Sequence, residues 1–219
     1  MIYCIMCGGE YTEFEQPRPF IEICGERLID RTLRLLKENG AADICITSND
    51  PRFDGLAERL EHQNSYRAGP DIGQEGCWLD AFYPDFPENT QVTFLYGDVW
   101  YSEEAMETIV GCTRSGNVLF GTSIAKNKAH QNWGEPFAYR VTDYKTFMQG
   151  VEDVKELWRA GKVDRNPITW ELYRYLNGFD VNVQMINDDT YIVIDDLTMD
   201  VDAPVSAWMI EKKVKAVSR

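Results

Sequence analysis

The stretch IYCIMCGGEYTEFEQPRPF, residues 2–20, decides how the rest of the chain reads. Residues 2–7 are β-branched, aromatic or cysteine apart from Met6, the composition of a strand buried on both faces. The run stops at Gly8-Gly9, a polar loop follows, and Arg18 stands between Pro17 and Pro19. Glycines directly after a strand let backbone N–H groups approach a ligand with no Cβ in the way. The same pair also reads as a tight turn. It is neither a GxGxxG, since no third glycine opens a helix, nor a Walker loop, since no GK[ST] follows. The two prolines stiffen the loop and predict an extended Arg18. A guanidinium held that way can clamp phosphate oxygens bidentately; the alternative is a solvated surface arginine.

Outward from this strand, helices and strands alternate. Residues 28–39 place Leu28, Ile29, Leu33 and Leu36 on one helical face, and Gly40 stops the helix. Residues 42–50 read as a strand, 54–62 as a short helix, and 69–76 as a Gly-rich loop ahead of a helical CWLDAFY. Residues 91–98 read as a strand, and 102–112 as a helix capped by Ser102 with acids in its first turn. Then come a strand at 117–124, a strand at 135–143 antiparallel to its neighbours, and helices at 144–160 and 166–178. VNVQMIN (181–187) and TYIVID (190–195) read as late strands, and a last helix follows Pro204. Strands separated by helices of ten or more residues predict an α/β fold, a Rossmann-like three-layer sandwich on a mixed, mostly parallel sheet. Neither repeat, low-complexity tract nor linker interrupts the 219 residues, so the chain reads as one domain, 1–219. Trp158, Trp170, Tyr173 and Tyr175 fall at helical spacings and read as core.

Apolar residues make up 44 % of the chain and aromatics 12 %, enough for a sizeable core. No apolar run approaches the roughly 18–20 residues of a membrane span. The N-terminus enters a strand at once without a basic leader, so the expected location is the cytoplasm. Net charge is −14, which argues against nucleic acid as a partner. It also requires that a polyanionic ligand meet a cation and local positive groups. The six cysteines read as reduced, mostly buried thiols. Cys4 and Cys7 form a CxxC, but residues three apart in a strand point to opposite faces, which suits neither zinc nor dithiol chemistry.

Two acidic stretches complete the pattern. In Leu95-Tyr96-Gly97-Asp98-Val99 an aspartate leaves an apolar strand directly after a glycine. One hard oxygen ligand there could hold Mg²⁺ against a phosphate, or Asp98 could cap the following helix. Residues 195–202 carry four aspartates, which repel one another unless neutralised. Asp200 and Asp202 face the same side in extended backbone and could reach one cation; Asp202 could instead cap the Pro204 helix. In a parallel sheet, ligands bind at the carboxyl ends of the strands. There Gly8-Gly9, Gly97-Asp98 and the 195–202 cluster converge.

The order of these features resembles the MobA-like nucleotidyltransferases of the GT-A type fold, which include sugar-phosphate and phosphocholine nucleotidyltransferases. Pro17-Arg18 followed by Ile21-Glu22-Ile23-Cys24-Gly25-Glu26-Arg27-Leu28-Ile29-Asp30-Arg31-Thr32 is similar to that family's Pro-Lys and "I-x-G-x-P-L-I-x-R-T" signature. Gly97-Asp98 is similar to its metal-binding strand end, and Asp200-Val201-Asp202-Ala203-Pro204 to its late "D-I-D-x-P-E-D" motif. The resemblance implies an Mg²⁺-dependent enzyme that moves a nucleoside monophosphate from an NTP to a small phosphorylated acceptor and releases pyrophosphate. A sugar 1-phosphate, or an alcohol phosphate such as phosphocholine, would be the acceptor. It further implies Met6, Cys7, Gly8, Gly9, Arg18 and Gly97 around the nucleotide, with Gly73, Gln74 and Gly76 near the base. Arg18, Asp98 and Asp202 would be catalytic, and Asp98, Asp200 and Asp202 would hold the metal. Lys126, Trp133 and Glu135 would meet the acceptor, within an insert around 122–180.

Three departures stand out. Arg18 replaces the family's lysine, Glu10-Tyr11-Thr12-Glu13 replaces its Gly-x-Arg, and Val205-Ser206 replaces its Glu-Asp. They motivate one alternative, a degenerate non-catalytic nucleotide-binding protein. A nucleotide-sugar glycosyltransferase of the same fold is the other. Such enzymes usually carry Asp-x-Asp after the central strand, where this chain has Gly97-Asp98-Val99-Trp100. Oligomeric state is not readable from the sequence.

Overall fold

The computed structural model describes residues 1–9, 14–69, 73–123 and 134–217. In chain order the elements are β1 (Ile2–Met6), β2 (Glu22–Ile23), β3 (Glu26–Arg27), α1 (Leu28–Glu38), β4 (Asp43–Thr47), β5 (Glu58–Leu60), β6 (Arg67–Gly69), β7 (Gly73–Glu75) and β8 (Val92–Tyr96). Then follow β9 (Val99–Trp100), α2 (Glu103–Val110), β10 (Val118–Gly121), β11 (Pro136–Val141), α3 (Tyr144–Arg159), α4 (Thr169–Leu176), β12 (Tyr191–Val193), β13 (Met199–Asp200) and α5 (Pro204–Val217).

A seven-stranded sheet runs β12-β10-β11-β8-β1-β4-β5. Its pairings are parallel except around β11, which is antiparallel to both β8 and β10. Period-two alternation sorts the side chains of β1 between two cores. Tyr3, Ile5 and Cys7 pack with Ile29, Leu33 and Leu36 of α1 and with Met106 and Ile109 of α2. Cys4 faces the other way, into the core that Phe94 of β8 shares with Phe147 and Val151 of α3. The two thiols of the CxxC therefore lie on opposite faces, and each is buried. The result is a three-layer α/β sandwich. A third, smaller core joins α5, through Ile210, to Ile21, Ile23, Trp100 and Val201.

Several boundaries differ from those expected. Residues 54–62 are not a helix: Pro51–Phe53 form one 3-10 turn, and β5 pairs in parallel with β4. Helix-forming Glu58, Arg59 and Leu60 are recruited as an edge strand because β4 offers unpaired backbone groups, and tertiary pairing outweighs local propensity. The 69–76 segment contributes to a small hairpin, β6 with β7, and CWLDAFY supplies only a 3-10 turn at Trp78–Ala81. VNVQMIN forms no strand. Val181 is buried, and its carbonyl accepts from Arg174 Nη1, so that backbone is satisfied by a side chain instead of a ladder. Arg18 is not extended either. It opens a 3-10 turn, Arg18–Phe20, closed by Phe20 N donating to Pro17 O and Ile21 N donating to Arg18 O, both at 2.9 Å. Among the described residues, no helix is long and apolar enough to cross a membrane.

Candidate active site

A cavity of about 590 Å³ opens over the carboxyl ends of β1 and β8. Its lining includes Met6, Gly8, Gly9, Arg18, Asp98, Glu135 and Asp202, residues spread over the length of the sequence. The fold brings them together in steps. Strands β1 and β8 are neighbours with Met6 opposite Tyr96, so the loops that leave them share one edge. Gly97 N donates to Met6 O at 3.1 Å, and a Cβ at Gly97 would stand 2.6 Å from Cys7 Sγ. Gly97 and Cys7 thus pack under the site without lining it, and glycine at 97 is a packing requirement. Beyond it, β9 pairs with β13 with Val99 opposite Asp200, and Val201 N donates to Asp98 O at 2.8 Å. That two-residue ladder places Asp98 beside Asp202.

The glycine pair divides its roles. A Cβ at Gly8 would come within 2.8 Å of His62 O, so Gly8 is required by the neighbouring chain. Among the described residues, chain neighbours aside, no atom stands within 4 Å of where a Cβ on Gly9 would be, and Gly9 lines the cavity. Its bare backbone is open to a ligand.

Arg18 is held by the buried prolines on either side of it. Its Nη1 donates to Asp98 Oδ2 at 3.1 Å and to Asp202 Oδ1 at 2.9 Å. One positive group therefore balances two carboxylates. Burial pushes the Asp98 carboxyl up, Arg18 opposes this, and Asp202 adds to it. Asp200 shares a hydrogen bond with Asp202 and is pushed up to about 9, chiefly by burial; it does not line the cavity. Burial, then the nearby Asp98 charge, also keeps the Cys7 thiol protonated. Two carboxylate oxygens that converge on one point suit a hard divalent cation that takes its other ligands from phosphates and water. Among the described residues, no three acidic, histidine or cysteine side chains gather into a self-sufficient metal cage.

The rest of the lining was not singled out in the sequence. On the β4–β5 side it includes Asn64, Tyr66, Trp78, Ala81 and Phe82; on the β11 side, Tyr96, Pro136, Ile168 and Thr169. Tyr96 hydrogen bonds Thr169 through their hydroxyls. Thr169 is fixed because Glu171 accepts from Ile168 N at 2.9 Å and pairs with Arg165. Tyr96 had a readable signal, since it ends a strand just before Gly97-Asp98. Of the residues assigned to the base, Gly73 and Gln74 lie in β7, and Gly76, just after it, does not line the cavity. Their neighbours Trp78 and Ala81 do. Lys126 and Trp133 lie outside the described residues.

No family model matches the chain, and no curated protein matches it in sequence. Solved structures do. A Bacillus anthracis chain assigned as a glucose-1-phosphate thymidylyltransferase aligns over 98 % of this chain and 96 % of its own, with TM-score 0.62 at 12 % identity. The CTP:phosphocholine cytidylyltransferase of Streptococcus pneumoniae aligns over 97 % and 99 %, with TM-score 0.53 at 14 % identity. A Mycobacterium tuberculosis protein covers 96 % of both chains, with TM-score 0.55 at 12 % identity. The chain has the nucleotidyltransferase fold. At these identities the likeness concerns the path of the backbone, and chemistry has to be argued from the cavity.

Proposed function

We propose that the chain is a nucleotidyltransferase that moves a nucleoside monophosphate from an NTP to a small phosphorylated acceptor. The observation that carries this reading is the meeting of Gly9, Arg18, Asp98 and Asp202 on one cavity. An open glycine backbone, a phosphate-matching guanidinium and two carboxylates aimed at one point are the parts a triphosphate needs in a chain of net charge −14.

An acceptor phosphate oxygen attacks the α-phosphorus in line, the bond to the bridging oxygen breaks, and pyrophosphate leaves with that oxygen. No protein nucleophile takes part, so catalysis is alignment and charge balance. Gly9 lets the backbone close on the phosphates, and Gly8 lets the loop pass close to the chain at His62. Arg18 leaves its two carboxylates for phosphate oxygens as the nucleotide enters. Asp98 and Asp202 would hold Mg²⁺, with Asp200 behind them, and the ion would supply charge neutralisation across the phosphates. The acceptor lies toward Tyr96, at the end of β8, and toward Glu135, Pro136 and Thr169, which belong to an insert around 122–180 of a single domain. A sugar 1-phosphate and an alcohol phosphate such as phosphocholine both suit the reaction.

The test is a thermal-shift panel of five NTPs with and without Mg²⁺, followed by a pyrophosphate-release screen over acceptors. A nucleotide at about 100 times its Kd adds about 2.7 kcal/mol to native stability. Asp98→Asn removes a carboxylate that burial already disfavours. It should melt within a few degrees of wild type yet lose at least about a hundredfold in turnover. Normal turnover in that variant would refute the assignment.

A further inference from the structure

The β4–β5 side of the cavity carries an aromatic pair that the phosphate and carboxylate chemistry leaves unused. Tyr66 and Trp78 stack with ring centroids 3.7 Å apart and planes 22° from parallel. Both line the cavity. Trp78 is 42 % exposed, whereas Trp100 and Trp170 are buried; Trp208 of α5 is also exposed but does not line the cavity.

The pair is built into the fold. Asn64 N donates to Gly8 O at 3.1 Å, and Tyr66 N donates to Asn64 Oδ1 at 3.0 Å. Tyr66 is thereby wired to the glycine loop. On the other side, Cys77 N donates to Ser65 Oγ at 3.0 Å and Trp78 N to Asn166 Oδ1 at 3.2 Å. Asn166 Nδ2 donates in turn to Gly76 O at 2.8 Å. Gly76 has φ +70°, and a Cβ there would meet Ser65 O at 2.2 Å, so the chain can turn beneath Trp78 only through glycine. The backbone beneath both rings is fixed before any ligand arrives, and such preorganisation lowers the entropic cost of binding.

We propose that Tyr66 and Trp78 form a stacking platform for the base of the nucleotide, with Trp78 presenting the ring on which the base lies. This rests on the nucleotide reading above. The rings stand beside the bare backbone assigned to the phosphates, the place a base reaches from a triphosphate held there. A cationic ligand head is less suited. Asp80, two residues from Trp78, is committed to Lys155 at 2.6 Å and to Ser65 and does not complete a cation cage. Stacking accepts any base, so the platform supplies affinity, and the choice among bases falls to the polar groups around it.

The experiment is calorimetric titration of wild type, Trp78→Leu and Trp78→Phe with the preferred NTP and with inorganic tripolyphosphate. Intrinsic fluorescence is read in parallel with the matching free nucleoside and with tetramethylammonium. Loss of one stacking partner corresponds to about a ten- to hundredfold loss of affinity. Trp78→Leu should lose that much for the NTP and nothing for tripolyphosphate, while Trp78→Phe stays within a few-fold of wild type. The nucleoside should quench a fluorescence component present in wild type and missing in Trp78→Phe. Three results would overturn the platform: NTP affinity unchanged in Trp78→Leu, an equal loss for tripolyphosphate, or quenching by tetramethylammonium and not by nucleoside. Failure of every NTP to bind wild type would overturn the nucleotide reading itself.

Discussion

Among single residues, Arg18 carries the most consequence. Its Nη1 occupies the point on which Asp98 and Asp202 converge. A guanidinium and a divalent cation compete for that point, so the nucleotide-free protein should bind metal weakly. Arg18→Gln should raise affinity for Mn²⁺, a spectroscopic stand-in for Mg²⁺, by about tenfold, equivalent to about 1.4 kcal/mol. Electron paramagnetic resonance titration without nucleotide would measure it. Equal Mn²⁺ affinity in the two proteins would show that the cation goes elsewhere. Arg18 was legible because a lone charge between prolines is conspicuous, and Asp98 because a carboxylate directly after a strand-end glycine is. Trp78 was not: CWLDAFY reads as a helix, and nothing in it marks one aromatic as facing a cavity until the 3-10 turn at Trp78–Ala81 is seen.

Where elements meet, the β2–β3 hairpin is tied to the candidate site through α1. Glu26 of β3 pairs with Arg34 at 2.8 Å and Arg31 at 3.3 Å. Arg31 lies over the Trp100 ring at 4.1 Å and donates to Tyr101 O at 2.7 Å. The network therefore braces β9, the strand that follows Asp98. Hydrogen bonding to Arg34, then the Arg34 and Arg31 charges, hold Glu26 below its ordinary value against burial. A depressed carboxylate stabilises the fold above its unfolded value, and the contribution is lost as pH falls through the folded one. Glu26→Gln should cost about 1 kcal/mol at pH 7, and melting curves from pH 7 down to 3.5 should show the gap closing. A gap that widens on acidification would contradict this. The same scale shows where reading from sequence stops. Helix α1 was plain because its apolar face repeats at helical spacing. β5 was not, since Glu58-Arg59-Leu60 has no strand pattern of its own and takes its conformation from β4. The pairing of β9 with β13, which assembles the carboxylates, joins segments a hundred residues apart and has no local signature.

For the molecule as a whole, charge sets how a nucleotide arrives. A net charge of −14 repels a polyanion at long range, while the Arg18 contact acts only at close quarters. Salt screens the first before the second, since the Debye length falls from about 30 Å at 0.01 M to about 8 Å at 0.15 M. The association rate constant for NTP, by stopped flow at constant free Mg²⁺, should rise severalfold over that interval. A fall would mean that the cavity mouth attracts anions despite the total. The alternation of helices and strands made the layered architecture legible at this scale, and strand order became visible only with β11 inserted against the direction of its neighbours. Because β11 runs backwards, the connection from β10 leaves and returns on the same rim. Its roots are tightly closed: Thr122 N donates to Glu135 O, Glu135 N to Thr122 Oγ1, both at 2.9 Å, and Tyr191 donates to Thr122 O at 2.7 Å. Neither Gly121 nor Gly134 leaves room for a side chain. Roots fastened this way fix the register of β10 against β11 by themselves. Residues added or removed by mutation between the two roots should therefore leave the order of the seven strands, and the cavity at their carboxyl ends, unchanged.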